Sequence, residues 1–405
     1  MFFLLLKIVT ATGALSAAGF YVVALLGAAT FRRRAAHAVS SSPGGDARTA
    51  EKPFTPPVSL LKPLRGTDPH AYESLRSHCV LDYPQYEILF GVADPADPAV
   101  ALVERLIREF PARDIRLVIC SQALGTNRKV SNLIQMLPHA AHDHLLINDS
   151  DIFVPRDYLR RILAPFRDQR VGMVTCLYRG VPGRTLGSRL EALAISTEFF
   201  PGVLAALRLE KGMRFALGST LAFPRRALAA IGGFEPLLDY LADDFELGSR
   251  IAAAGFEVFL ADVVVETHLP NYTFVDFFAH QLRWGRSTRD SRPWGYTGVL
   301  LTQGLPWALA ALAASYLPSS SAVSVTGWGS EWGWMLLALI IFLRLAVADT
   351  VGRKILHDRH LWRNIWLLPL RDLVGLAVWI GSYTGRRVRW REEEFILEKG
   401  RLRPT

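Results

Sequence analysis

Four groups of polar residues in this chain have the types and spacing to do chemistry. The first is Asp94, which follows Phe90-Gly91-Val92-Ala93 and so would stand at the carboxyl end of a strand. There a carboxylate can accept hydrogen bonds from a nucleobase or a ribose, although Asp94-Pro95-Ala96-Asp97-Pro98 also has the residues of a turn or helix cap. The second is Asn148-Asp149-Ser150-Asp151, which closes the apolar run Leu145-Leu146-Ile147. Two carboxylates this close repel each other unless something positive sits between them. A divalent cation that prefers hard oxygen ligands, Mg²⁺ or Mn²⁺, bridging to diphosphate oxygens is one solution. A loop aspartate followed by a helix cap ahead of Pro155 is the other reading. The third group, Asp243-Asp244, opens the amphipathic stretch Phe245–Ala253. A helix dipole would favour both in ionised form, as plain caps or with one of them free to take a proton from a hydroxyl. The fourth is His280-Gln281-Leu282-Arg283-Trp284-Gly285-Arg286, where a guanidinium offers paired donors to diphosphate oxygens beside an indole face. A Trp and Arg girdle at a membrane interface has the same composition.

The elements around these groups follow a βαβα rhythm. Val58–Leu61, Tyr86–Val92, Ile115–Cys120 and His144–Ile147 read as strands, and Ala71–Val80, Pro98–Phe110 and Val130–Leu137 as helices between them. Val100, Val103, Leu106, Ile107 and Phe110 fall on one face of the second helix. Such an order predicts a mainly parallel sheet covered on both faces, with ligands at the carboxyl ends of its strands.

Apolar residues collect at the two ends of the chain. Ile8–Phe31 carries no charge, and at about 1.5 Å per residue a helix over it crosses a hydrocarbon core about 30 Å thick. Arg32, Arg33 and Arg34 follow it and only Lys7 precedes it, the reverse of a cleaved signal peptide, so it reads as an uncleaved anchor with the arginines in the cytoplasm. Residues 32–55 read as a flexible basic tether, 56–292 as a cytosolic domain, and 293–405 as a membrane region with a basic tail. Within that region Tyr296–Leu317 and about 332–350 would form a hairpin through a polar loop. The third apolar segment, Trp362–Tyr383, is interrupted by Pro369, Arg371 and Asp372, so it reads either as a span or as an interfacial helix.

A net charge of +9 invites a nucleic-acid reading, but no zinc-finger spacing, RNP-like motif or basic heptad region accompanies it. Much of the excess lies beside apolar segments, as expected of a face attracted to anionic lipid. The three cysteines, Cys79, Cys120 and Cys176, lack metal-like spacing and read as buried free thiols.

Five blocks in order carry a resemblance over nearly the whole chain: Ser59-Leu60-Leu61-Lys62-Pro63-Leu64 with Gly66; Gly91-Val92-Ala93-Asp94 with Asp97-Pro98-Ala99; Gly125-Thr126-Asn127-Arg128-Lys129-Val130-Ser131-Asn132-Leu133; Asn148-Asp149-Ser150-Asp151-Ile152; and Tyr240-Leu241-Ala242-Asp243-Asp244. With Arg283-Trp284 they resemble the inverting membrane glycosyltransferases of GT-A type, and most closely the ceramide glucosyltransferase family. The resemblance implies an α/β, Rossmann-like GT-A domain, flanked by transmembrane helices, that moves glucose from UDP-glucose to the primary hydroxyl of ceramide. By it, Asp94 contacts the uridine, Asp149 and Asp151 hold Mg²⁺ or Mn²⁺ on the diphosphate, and Lys129 is a further donor contact. Asp244 is then the base, with Asp243 in support. Arg283 and Trp284 match the end of the family's (Gln/Arg)-x-x-Arg-Trp motif, whose first position is His280 here, with Gln281 next to it. Hopanoid-associated transferases using UDP-N-acetylglucosamine share these motifs. A polysaccharide synthase needs more spans to make a channel, and a catalytically inactive lipid-binding scaffold has no need of every acidic position.

Overall fold

The computed structural model describes residues 1–40, 54–68, 70–318, 330–390 and 393–404. The chain folds into two compact units that alternate along the sequence. One, the helical unit, comprises Met1–Arg32, Arg184–Arg208 and Asn271–Val388; the other, the sheet unit, comprises Arg33–Gly183, Leu209–Pro270 and Arg389–Thr405.

The sheet unit is built on eight strands: β1 (Val58–Leu64), β2 (Tyr86–Val92), β3 (Asp114–Ile119), β4 (His144–Ile147), β5 (Ile152–Phe153), β6 (Val171–Val181), β7 (Leu221–Pro224) and β8 (Glu257–His268). They hydrogen-bond in the order β3-β2-β1-β4-β7-β6-β8-β5. Strands β3, β2, β1 and β4 run parallel, as do β6 and β8, while β7 is antiparallel to both of its neighbours and β5 to β8. The mostly parallel α/β sheet expected from the sequence is therefore present. Every residue of β2 is buried, and β1 is buried apart from Pro63, which explains why apolar residues dominate both strands. Helices Ala71–Cys79, Ala99–Glu109 and Arg128–Met136 make the connections, the second of them burying Ala99, Val103 and Leu106. All three cysteines are buried and free.

The helical unit differs from the linear division read in the sequence. Its first helix runs Phe2–Ser40, so the start of the expected tether is helical; residues 41–53 lie outside those described. Leu186–Leu209, read as part of the globular domain, is an apolar helix long enough to cross a bilayer and joins the terminal helices. It contains a π-helical stretch at Ile195–Phe199. Phe2–Arg34, Glu331–Arg353 and Leu361–Ser382 meet the same criterion, whereas the expected Tyr296–Leu317 span is a pair of helices, Pro293–Thr302 and Gly304–Ser315, bent by 50°. The polar loop expected after that pair falls largely on residues 319–329, outside those described. In the third C-terminal segment Pro369 sits in the first turn of helix Leu368–Ser382, where a missing N–H costs nothing, after a short 3₁₀ step at Ile365–Leu367. Its two charges are buried against partners: Asp372 accepts from Arg344 at 2.7 Å, and Arg371 lies 2.8 Å from Glu198. From Arg389 onward the chain belongs to the sheet unit, where strands Glu393–Glu398 and Arg401–Pro404 pair as a hairpin.

Candidate active site

The parallel register aligns Ile147 of β4 with Leu61 of β1, and Leu61 with Leu89 of β2. The carboxyl ends of β4 and β2 therefore share one edge of the sheet, two strands or roughly 10 Å apart. Asp94 stands at that edge, exposed, with Oδ1 accepting the Ala96 N–H at 2.8 Å. The turn read in the sequence is thus formed, and the other carboxylate oxygen keeps its lone pairs. The start of the following helix is held by Asp97, which accepts from the backbone of Ala99 at 2.8 Å and of Gly66 at 2.9 Å.

The loop after β4 is held from beneath by groups the motif reading left unassigned. Lys62, fully buried in β1, donates from Nζ to the backbone carbonyl of Asp149 at 2.9 Å and lies 3.4 Å from His78 Nε2. Burial pushes its ammonium down to about 7 although Asp149 and Asp151 support the charge. Ser74 donates to the Asp151 carbonyl at 3.2 Å, and the Thr267 hydroxyl, at the end of β8, donates to the Asp151 carboxylate. Burial and the Asp149 charge raise the Asp151 carboxyl to about 6 against that hydrogen bond. The repulsion expected of this acidic pair is therefore present.

The positive group beside Asp149 is Lys129, whose Nζ lies 2.9 Å from Asp149 Oδ1 and 3.1 Å from Asp243 Oδ2. Burial alone would lower its pKa, but Asp149, Asp243 and Asp244 outweigh it and the ammonium is raised. The Asp244 carboxyl is pushed up to about 6, by burial first and then by the Asp243 charge, with Lys129 opposing. Gly218, just before β7, explains how these groups approach: a Cβ there would lie 2.9 Å from Asp244 Oδ2 and 3.3 Å from Asp149 Oδ2. Asp149, Asp243, Asp244 and Lys129 thus converge, with Asp151 beside them.

Two loops carry this cluster, and each braces the other. Asn127 caps the Lys129 helix through the Val130 N–H at 3.0 Å and donates to the Tyr240 carbonyl at 2.8 Å; Thr126 Oγ1 donates to Asp239 at 3.0 Å. The C-terminal hairpin clamps the same turn. Leu402 N–H donates to the Asp239 carbonyl at 2.6 Å, Leu241 N–H donates to the Gly400 carbonyl at 3.0 Å, and the Arg401 guanidinium lies 5.2 Å from the Tyr240 ring centre.

The fourth group belongs to the helical unit, on helix Phe274–Ser291. His280 Nδ1 is 3.0 Å from Glu191 Oε1, and its ring stacks on Tyr272 at 5.4 Å and meets Trp284 edge-on at 5.2 Å. Gln281 is buried with its carbonyl oxygen accepting from Arg371 at 3.0 Å. Arg283, half-buried, has no hydrogen-bond or ion-pair partner among the described residues, and desolvation lowers its pKa against Glu191 and Tyr272. A desolvated cation with no direct hydrogen-bond or ion-pair partner suits an anionic ligand.

A polar edge of a parallel sheet with clustered carboxylates has the chemistry of a nucleotide-sugar site. The sequence model of glycosyl transferase family 21 matches residues 17–403. The chain belongs to glycosyl transferase family 21. Among its relatives, the ceramide glucosyltransferase of Komagataella phaffii is 33% identical over 434 residues, covering 84% of this chain and 82% of the relative. Ceramide glucosyltransferase 1 of Caenorhabditis elegans is 25% identical over 361 residues, covering 87% and 74%. Among solved structures, the mannosyltransferase PcManGT from Pyrobaculum calidifontis, in complex with GDP-Man and Mn²⁺, matches with a TM-score of 0.50 and 21% identity over 85% of this chain and 99% of that one. At that identity the likeness is one of fold, and the fold is GT-A. This family 21 chain is a glycosyltransferase, with a nucleotide-sugar donor and a lipid acceptor, and its apolar helices fit a membrane protein.

Among the described residues no three His, Cys, Asp or Glu side chains form a ready metal cluster. The donor set fits a different arrangement. Asp149 and Asp151 offer hard carboxylate oxygens, and Asp151 is raised first by burial and then by the Asp149 charge, both of which a bound cation would offset. Mg²⁺ takes few protein carboxylates and completes its shell with phosphate oxygens and water.

Proposed function

We propose that this enzyme transfers glucose from UDP-glucose to the primary hydroxyl of ceramide, with inversion, at the cytoplasmic face of a membrane. The observation that carries the reading is the convergence of Asp244 and Asp149 on Gly218, with Asp244 raised to about 6. A carboxylate with a pKa brought toward neutrality is suited to general-base catalysis. Glucose and ceramide as the two substrates are supported by the relatives' names and by the five motif blocks.

In this reading Asp94 binds the uridine and Asp149 and Asp151 hold the divalent ion. When bound, Mg²⁺ or Mn²⁺ would offset the charge of the diphosphate. Arg283 adds a cation for the same diphosphate, with Trp284 and His280 fixing its surroundings. Asp244 takes the proton from the ceramide hydroxyl as its oxygen bonds to the sugar's anomeric carbon, and the bond from that carbon to the diphosphate oxygen breaks, releasing UDP. Asp243 and Lys129 set the electrostatics of the base. Residues 1–31 anchor the protein, and Arg32 to Arg34 place the following domain in the cytoplasm.

The test is Asp244→Asn. Transfer to ceramide should fall by roughly 10²–10⁴-fold, while binding of UDP-glucose in the presence of Mg²⁺ stays within about threefold. Near-normal turnover would remove the base assignment, and a glycosylated hopanoid or diacylglycerol from the wild type would keep the site but move the acceptor.

A further inference from the structure

The first of the five sequence blocks contains a lysine that the transfer chemistry does not use. Lys62 is fully buried in β1 among Leu60, Leu61 and Leu64, where taking an ammonium out of water is costly. Parallel pairing aligns Leu61 with Ile147, the last residue of β4, so Lys62 lies one residue past the point where the acidic loop leaves the sheet. Its Nζ donates to the Asp149 carbonyl at 2.9 Å and lies 3.4 Å from His78 Nε2. His78 Nδ1 lies 3.0 Å from the Ser74 carbonyl, which can only accept, so Nδ1 carries the proton and Nε2 is left to accept from Lys62. Burial, and then the Lys62 charge, hold this imidazole well below the usual histidine range and so neutral. Helix Ala71–Cys79 thus reaches the loop at three points. It acts through His78 and Lys62 on the Asp149 carbonyl, through Ser74 Oγ on the Asp151 carbonyl at 3.2 Å, and through Ser77 Oγ, which accepts the Val154 N–H at 3.1 Å. A leucine at position 62 would pack in β1 without the desolvation cost; what the ammonium adds is a donor for the loop.

We propose that Lys62 is a positioning residue for the divalent ion: through the Asp149 carbonyl it fixes the main chain from which Asp149 and Asp151 reach the metal, and it touches neither metal nor donor. The inference rests on the assignment of the ion to Asp149 and Asp151 and deepens it. Mg²⁺ demands near-ideal octahedral geometry. A loop free to shift presents the two carboxylates correctly for only part of the time, and the apparent affinity for the ion falls by that fraction. His78 acts one step further back, by orienting the ammonium that holds the loop.

The test uses full-length protein in detergent with excess UDP, and reads Mn²⁺ binding from the electron paramagnetic resonance of the free ion. Lys62→Met keeps the chain length and removes the donor. His78→Leu removes the acceptor that orients it, and His78→Gln restores one, since an amide both donates and accepts. Lys62→Met and His78→Leu are each expected to raise the Mn²⁺ Kd about tenfold, the scale of one lost buried hydrogen bond, with His78→Gln within about threefold of the wild type. Turnover in Lys62→Met should return to within about threefold of wild type at saturating Mn²⁺, because the base is untouched. Binding of uridine, which carries no diphosphate, should be unchanged in every variant; a general loosening of the sheet unit would weaken it in step with Mn²⁺. His78→Leu carries the test by itself if Lys62→Met does not fold. Mn²⁺ Kd values within about twofold of wild type in the folded variants, or uridine affinity falling with them, would overturn the inference and leave the metal assignment standing. A wild type that binds no Mn²⁺, or an Asp149→Asn variant that binds it as tightly, would overturn both.

Discussion

At the scale of single residues, Asp243 and Asp244 show how far adjacent carboxylates can diverge. Asp243 is engaged by Lys129 and Asn127, whereas Asp244 accepts the Phe245 N–H and is raised to about 6. A raised carboxyl is protonated below that value and cannot accept a proton. The rate of transfer is therefore expected to fall about tenfold per pH unit below about 6 and to level above it, an acid limb read from kcat/KM against pH. Gly218→Ala puts a methyl 2.9 Å from Asp244 Oδ2, and turnover should fall roughly 10-fold or more from the displaced base, with the circular dichroism spectrum unchanged; full activity would show that the close approach is not needed. The acidic residues were legible in the sequence because each follows an apolar run or opens an amphipathic one. Lys62, Thr267 and Gly218 were not: a lysine inside a buried strand, a threonine ending β8 and a glycine before a four-residue strand acquire meaning only when β1, β4, β7 and β8 are side by side. Gln281 was legible as a candidate, and its carbonyl is occupied by Arg371.

Among the elements, β1, β2 and β4 could be read because parallel strands buried on both faces are dominated by apolar residues, even with Lys62 and Glu87 among them. Strand β8 hides its signal by carrying Glu257, Asp262 and Glu266, and β5 is too short to have a period. The apolar helix Leu186–Leu209 was obscured by Glu191 and Glu198, charges that His280 and Arg371 pair within the helical unit. The C-terminal hairpin is the least legible element, since its contacts with the turn before Asp243 join residues far apart in sequence. Gly400 has a φ of +78°, and a Cβ there would lie 3.2 Å from Tyr240 Cδ1. Gly400→Val should therefore strain the hairpin by at least about 1 kcal/mol and lower kcat several-fold with donor KM little changed. Addition of a peptide spanning residues 386–405 to a chain ending at Trp390 should restore part of the activity. An unaltered kcat in Gly400→Val would show that the hairpin does not position the acidic turn.

On the scale of the whole molecule, the sheet unit and the helical unit divide polar and apolar chemistry between them, and the sequence shows this division at its ends better than in its middle. The orientation has a direct readout because Cys79, Cys120 and Cys176 are all buried. Asp157→Cys, at an exposed position of the sheet unit, should react with a membrane-impermeant maleimide only in vesicles whose cytoplasmic face is outward; reaction in the opposite vesicles would reverse the assignment. The central claim is the reaction itself. Its most direct test is mass spectrometry of the lipid products when purified wild type and Asp244→Asn are given UDP-glucose, ceramide and Mg²⁺ or Mn²⁺. Glucosylceramide from the wild type, lost in Asp244→Asn and on chelation of the metal, is the expected result. Undiminished product from Asp244→Asn, or no glycosylated lipid from the wild type with any donor and acceptor pair, would contradict it.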